Sequence, residues 1–142
     1  MHGTAIRKFE IADYAAARKL WAETPGVGLS ASDGPGPIEQ FLRRNPGLSF
    51  VATEADRVVG TILCGHDGRR GLIHHLVTAR SHRRRGIGRA LLSSGLRALA
   101  SEGIIKCHLV VFRDNDEGLG FWRAVSATER HELVLFSMPT NG

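Results

Sequence analysis

Five arginines fall within ten residues, 80–89, where the chain reads Arg-Ser-His-Arg-Arg-Arg-Gly-Ile-Gly-Arg. Gly86 and Gly88 would let the backbone approach an anion with no Cβ in the way. If a helix begins there, its first N–H groups and dipole add positive character, so Arg83, Arg84, Arg85, Gly86, Ile87, Gly88 and Arg89 read as a cradle for phosphate or diphosphate. The alternative is a solvated basic turn. The glycine pattern is not a dinucleotide fingerprint, since Leu91 stands three places after Gly88, and no Gly-Lys-Ser/Thr is present to make a P-loop. Net charge is +5, and outside this decade 14 basic residues face 14 acidic ones. One tight knot suits a compact polyanion, whereas a protein that lies along nucleic acid more often spreads basic residues over a face.

Two histidines precede the knot. In the apolar run 72–78, strand alternation puts His74 on the face of Leu72 and Leu76 and turns His75 the other way. A general base and a backbone-satisfied histidine both remain open for His74, and His75 reads as structural. His66-Asp67 fits a turn capped by the aspartate better than a dyad. Ser30, Ser32 and Asp33 lie in a loop that needs polar residues anyway; contact with an acceptor is the second reading. Cys64 and Cys107 each sit in an apolar run and read as small core residues. No helical HxxxH or HExxH spacing occurs, so we expect no metal.

The elements that must position these residues follow from pattern. Residues 6–9 predict a strand, and Asp13 an N-cap for a helix to residue 23 with Tyr14, Ala17 and Trp21 on one side. Residues 25–37 have loop composition, and residues 38–44 predict a short helix. Runs 48–53 and 58–64 predict an antiparallel hairpin, with a third strand over 72–78. Leu91, Leu92, Leu96 and Leu99 recur at helical spacing up to Gly103, so a helix starts inside Gly-Ile-Gly. Residues 104–112 predict a strand whose crossover demands parallel pairing. Asp114 or Asn115 would cap a helix over 117–125, and residues 131–138 predict a final strand.

The combination of Leu76-Val77-Thr78, then Arg83-x-x-Gly86-x-Gly88, then a leucine-rich helix resembles the core of the GNAT superfamily of acetyl-CoA-dependent N-acetyltransferases. The order of the other elements, with Asn115 followed by Phe121-Trp122, extends the resemblance over nearly the whole chain, and the tail from Phe121 to Ser126 is similar to the bacterial YpeA-type branch. The resemblance implies a mixed α/β (α+β) fold: a mostly antiparallel twisted sheet of six to seven strands, about four helices, and a splay at the cofactor site. It also implies that the backbone of Leu76, Val77 and Thr78 bonds the pantetheine arm and that the amides from about Arg84 to Arg89 hold the diphosphate. Asn115 would approach the pantetheine, while the Phe121-Trp122 pair reads as core packing on its helix, a wall to the thioester channel from one edge of Trp122 being the second reading. Relatives that use a tyrosine to protonate the departing thiolate have it where Trp122 stands, and indole has no useful acidic proton. His74 occupies the position of a histidine base in the arylalkylamine acetyltransferases.

A chain of 142 residues can bury roughly two-thirds of its unfolded surface and needs no staple. We therefore expect one domain over residues 1–142. The stretch 24–38, whose one charged residue is Asp33, is rich in Gly and Pro and cannot span a bilayer. Charge near the N-terminus stands where a signal peptide needs apolar residues, which predicts a cytoplasmic protein. The expected co-substrate is acetyl-CoA and the expected partner a small-molecule or peptide amine, with no nucleic acid and no membrane. Edge strands allow a homodimer. A non-catalytic acetyl-CoA sensor and an RNA-binding module built on the arginines are the rival readings.

Overall fold

A computed structural model describes residues 3–141 and divides the chain into two compact units, Met1–Val110 and Val111–Gly142. In the first, β1 (Thr4–Lys8), β2 (Phe50–Glu54), β3 (Arg57–His66), β4 (Gly71–Thr78) and β5 (Cys107–His108) form a sheet in that order. The first three pairings are antiparallel and β4–β5 is parallel. The crossover between β4 and β5 is made by α3 (Ile87–Ser101). The hairpin between β2 and β3 turns at Ala55 and Asp56, both at positive φ (51° and 64°), the geometry whose twist matches antiparallel strands.

β3 is buried on both faces. On one side α1 (Tyr14–Ala22) and α2 (Pro35–Arg44) cover it, with Trp21, Leu63, Val51, Val77, Phe9 and Ile38 in one apolar cluster. On the other side α3 approaches closely because Gly95 lies against Cys64 and Ile62: a Cβ there would sit 2.7 Å from the Cys64 sulfur. Asp13 stands at the N-terminus of α1 without capping it; its carboxylate instead takes two 2.8 Å bonds from Arg7 and one from the Glu10 amide. α2 starts three residues before the expected position because Pro35 fits the first helical turn.

Two expectations are corrected. The sheet has five strands among the described residues, not six to seven. Of the strand expected over 104–112 only Cys107–His108 forms, and the strand expected over 131–138 is absent. Leu133, Val134, Leu135, Phe136 and Met138 are all exposed there. Their composition suits a pleated ladder, but a strand exists only with a neighbour to bond, which composition cannot supply. In this second unit α4 (Asp116–Ala124) is capped by Asn115, whose Oδ1 accepts the Gly118 amide at 3.0 Å.

The β3–β4 ladder carries a bulge. Val77 pairs with Thr61 and His74 with Leu63, so His75 and Leu76 together oppose Ile62. His75 takes φ 48°, a left-handed conformation that costs a non-glycine residue about 1 kcal/mol or more. It is held by the fully buried Thr61, whose hydroxyl donates to the His75 carbonyl at 2.8 Å and accepts the Trp21 indole N–H at 2.9 Å. Thr61→Val, of nearly equal shape, should strand both partners and lower stability by about 2–4 kcal/mol in chemical denaturation, while Thr61→Ser should lose much less.

Candidate active site

The bend between β4 and α3 leads directly into a helix N-terminus, where the sequence places the arginine-glycine run. Arg84 (φ 66°) and Gly86 (φ 80°) are both left-handed, and α3 begins at Ile87 directly after them. The first intrahelical bond runs from the Ala90 amide to the Gly86 carbonyl at 3.0 Å, so the amides of residues 87–89 lie in the helix's first, outward-pointing turn. A Cβ added at Gly86 would meet no heavy atom within 4 Å. The space beside Gly86 is open and not filled by side chains.

Around it, Arg84, Arg85, Gly86 and Arg89 are exposed, Arg83 and Gly88 half-buried, and Ile87 buried. The Arg83 Nε donates to the Thr78 carbonyl at 3.2 Å, closing the turn. Val77 and Ile87 send their side chains into the core, so only their main chain could meet a ligand. On its outer edge β4 pairs with β5 at Gly71 and Leu72 alone. Among the described residues no ladder continues beyond that pair, and the sheet edge opens beside Leu76, Val77 and Thr78.

The bulge overturns one expectation about the histidines. After the extra residue, His74 shares its face with Val77, and the left-handed turn at His75 swings that ring to the same side of the sheet. The His75 ring lies 4.6 Å from Trp21 of α1, and its Nε2 donates to Asp33 Oδ1 at 2.7 Å. His74 is exposed by area, with Phe41 edge-on at 6.0 Å. Desolvation by the surrounding atoms pushes its pKa below the usual imidazole value; the His75 charge adds to this and Asp33 opposes it. Its exposure limits the size of the shift, but the direction leaves a neutral ring able to accept a proton near pH 7.

A second contact went unread in the sequence. His82, buried, donates from Nε2 to Glu54 Oε1 at 2.7 Å, and its Nδ1 bonds the Ser81 hydroxyl at 2.7 Å. Glu54 also faces the Arg85 guanidinium at 3.6 Å. The hydrogen bond from His82 holds the Glu54 carboxyl below its ordinary range, against the opposing effect of desolvation, and the charges of His82, Arg85 and Arg57 add attraction. The end of β2 thus anchors the turn that leads into the bend. His66-Asp67 is a turn, as expected: Asp67 Oδ1 accepts the Arg69 and Arg70 amides at 2.8 Å each. In the second unit Asn115 caps its helix, and Trp122, half-buried, stacks edge-on against Phe121 at 5.1 Å. Both cysteines are free thiols, and burial pushes Cys64 up to about 12, which makes it inert. No group of metal-ligating side chains and no helix long and apolar enough to cross a membrane occurs among the described residues.

Residues 14–125 match the family model described as the acetyltransferase (GNAT) family. An acetyltransferase of Photorhabdus laumondii is 35% identical over 137 residues, spanning 93% of this chain and 92% of its own. Among solved structures, Ard1 of Thermoplasma volcanium superposes with a TM-score of 0.77 at 23% identity, covering 88% of this chain and 82% of that one. The PaiA N-acetyltransferase of Thermoplasma acidophilum, solved with coenzyme A, gives 0.73 at 20% identity over 87% and 89%. Glu54→Ala should free the His82 turn and weaken coenzyme A binding about two- to fivefold in calorimetry, a modest loss because the Glu54 side chain is 34% exposed.

Proposed function

Because the chain belongs to the GNAT family of acetyltransferases, we propose that it binds acetyl-CoA along the open edge of β4 and passes the acetyl group directly to a primary amine of a small molecule or peptide. The observation that carries this reading is the open left-handed bend at Gly86, set at the start of a fifteen-residue helix and flanked by exposed arginines. In this reading the amides from Arg84 to Arg89 hold the diphosphate, and the main chain of Leu76, Val77 and Thr78 bonds the pantetheine arm. Asn115 and Trp122 are assigned to the pantetheine and thioester end on family resemblance. Residues 1–142 act as one catalytic domain.

His74 serves as the base. An amine is protonated near neutral pH, so its proton must leave, to His74 directly or through a water, before the lone pair can attack. Backbone N–H groups around Val77 and Thr78 face the carbonyl oxygen as charge builds on it. The chain has one tyrosine, Tyr14, and its hydroxyl donates to the Asp33 carbonyl at 2.6 Å. Water therefore protonates the departing thiolate. The same lack of a tyrosine at position 122 favours a second reading, a sensor that binds acetyl-CoA without turnover.

An acceptor screen that follows release of free thiol separates the two: turnover on any amine supports the enzyme, and tight binding with no thiol on any acceptor supports the sensor. Gly86→Asp should cut coenzyme A affinity by about 100-fold or more, since a carboxylate and a strained φ would intrude on the diphosphate site; unaltered affinity would sink the cradle. His74→Ala should lower kcat/KM by about 10²–10⁴-fold. The protonated ring cannot act as base, so wild-type activity should fall as pH drops through a value below about 6.5, and that acid limb should vanish in the variant.

A further inference from the structure

The segment between α1 and α2, residues 23–34, packs Val27 and Leu29 against the apolar cluster and ends in a single 3-10 turn, Ala31–Asp33. Its polar end is built around Asp33. One carboxylate oxygen accepts the Ser30 amide at 2.9 Å and closes the turn on itself; the other accepts His75 Nε2–H at 2.7 Å, across 42 residues of sequence. Both side chains of that pair are withdrawn from water, at 13% and 14% exposure. The Asp33 carbonyl receives the Tyr14 hydroxyl, and the His75 carbonyl receives Thr61. Each partner is thus fixed at its main chain as well as its ring or carboxylate, and what they join is a loop rich in Gly and Ser and the strained residue of the β4 bulge.

We propose that Asp33 and His75 form a clasp that ties the α1–α2 segment to the β4 bulge and so positions His74 and the main chain of residues 76–78 for acetyl transfer. The transfer itself rests on the proposed function; the clasp does not. His75 precedes Leu76 directly, so rotation of its backbone out of the left-handed state would re-aim the next amides and return the strand to regular alternation, moving His74 relative to them. In unbroken alternation Val77 would leave the face of His74, so the bulge is what lets Val77 stay in the apolar cluster beside Leu63 while His74 lies on the same face. The charge-assisted bond from the loop adds to that core contact at the residue where the alternation breaks. Asp33 and His75 are positioning residues in this scheme; neither need touch the substrate.

Hydrogen–deuterium exchange on the full chain, without ligand, tests the clasp by itself. Asp33→Ala should speed exchange in residues 26–34 and, by about tenfold, in residues 74–78. Asp33→Asn should fall between, because its amide oxygen still accepts from His75 Nε2–H. His75→Asn tolerates a left-handed φ but is too short to reach Asp33, and it leaves the Asp33–Ser30 turn intact; it should still loosen residues 74–78. With the best acceptor from the screen, Asp33→Ala should lower kcat about tenfold while acetyl-CoA affinity stays within roughly threefold, and Asp33→Asn should restore most of the rate. Loosening confined to 26–34, loosening spread evenly over the sheet, or an unchanged kcat would each overturn the clasp. Failure of the wild type to bind acetyl-CoA would instead overturn the proposed function, and the exchange arm would still decide the clasp.

Discussion

One buried hydroxyl joins the core of the first unit to its candidate site. Thr61 Oγ1 is fully enclosed, accepts the Trp21 indole N–H and donates to the His75 carbonyl, so all the polar atoms at that point are paired. Trp21 is the largest side chain in the apolar cluster and His75 is the residue that breaks the regularity of β4. A left-handed histidine costs about 1 kcal/mol or more, the same order as one well-placed hydrogen bond in a buried setting. The bulge persists because Thr61, Asp33 and the face of Trp21 all bear on that one residue.

From the bulge follow the two features that make β4 usable. It places His74 and His75 on the same side of the sheet, where a regular strand would have opposed them. It also falls just past the point where the β4–β5 ladder ends, so the irregular stretch is the stretch with an open edge. The side chains of Val77 and Ile87 are meanwhile sunk in the core. Side chains buried in this way fix the orientation of the backbone groups that carry them, which is the condition under which amide dipoles are most effective.

The strand, bend and helix start at Gly86 are legible in the sequence because their signal is local: two glycines, a strand before and a leucine stripe after, all within about one βα unit. The histidine assignment was legible only in part. Strand alternation placed His74 correctly beside Leu72, but it presumed an unbroken period of two, and nothing in the residue types of His75 and Leu76 announces a bulge. The Asp33–His75 and Glu54–His82 contacts join residues 42 and 28 apart in sequence. Such pairs follow from the register of strands and the path of a loop, which local pattern does not fix. The run 131–138 failed for the opposite reason: its pattern is strand-like, and no ladder forms there for it to join.

Electrostatics gives the bend its direction. A helix N-terminus favours acidic residues, yet the first turn of α3 carries none, and Arg84, Arg85 and Arg89 stand exposed about it. Like charge beside the positive end of the dipole costs a few tenths of a kcal/mol per residue at an exposed site. Glu54 offsets part of it through Arg85, at 3.6 Å, but that carboxylate is also engaged by His82. A surface selected for stability alone would place an aspartate or a serine where this chain has arginine and glycine. Local rules broken together at one bend, where the space beside Gly86 is open, are the features on which the proposed diphosphate site rests.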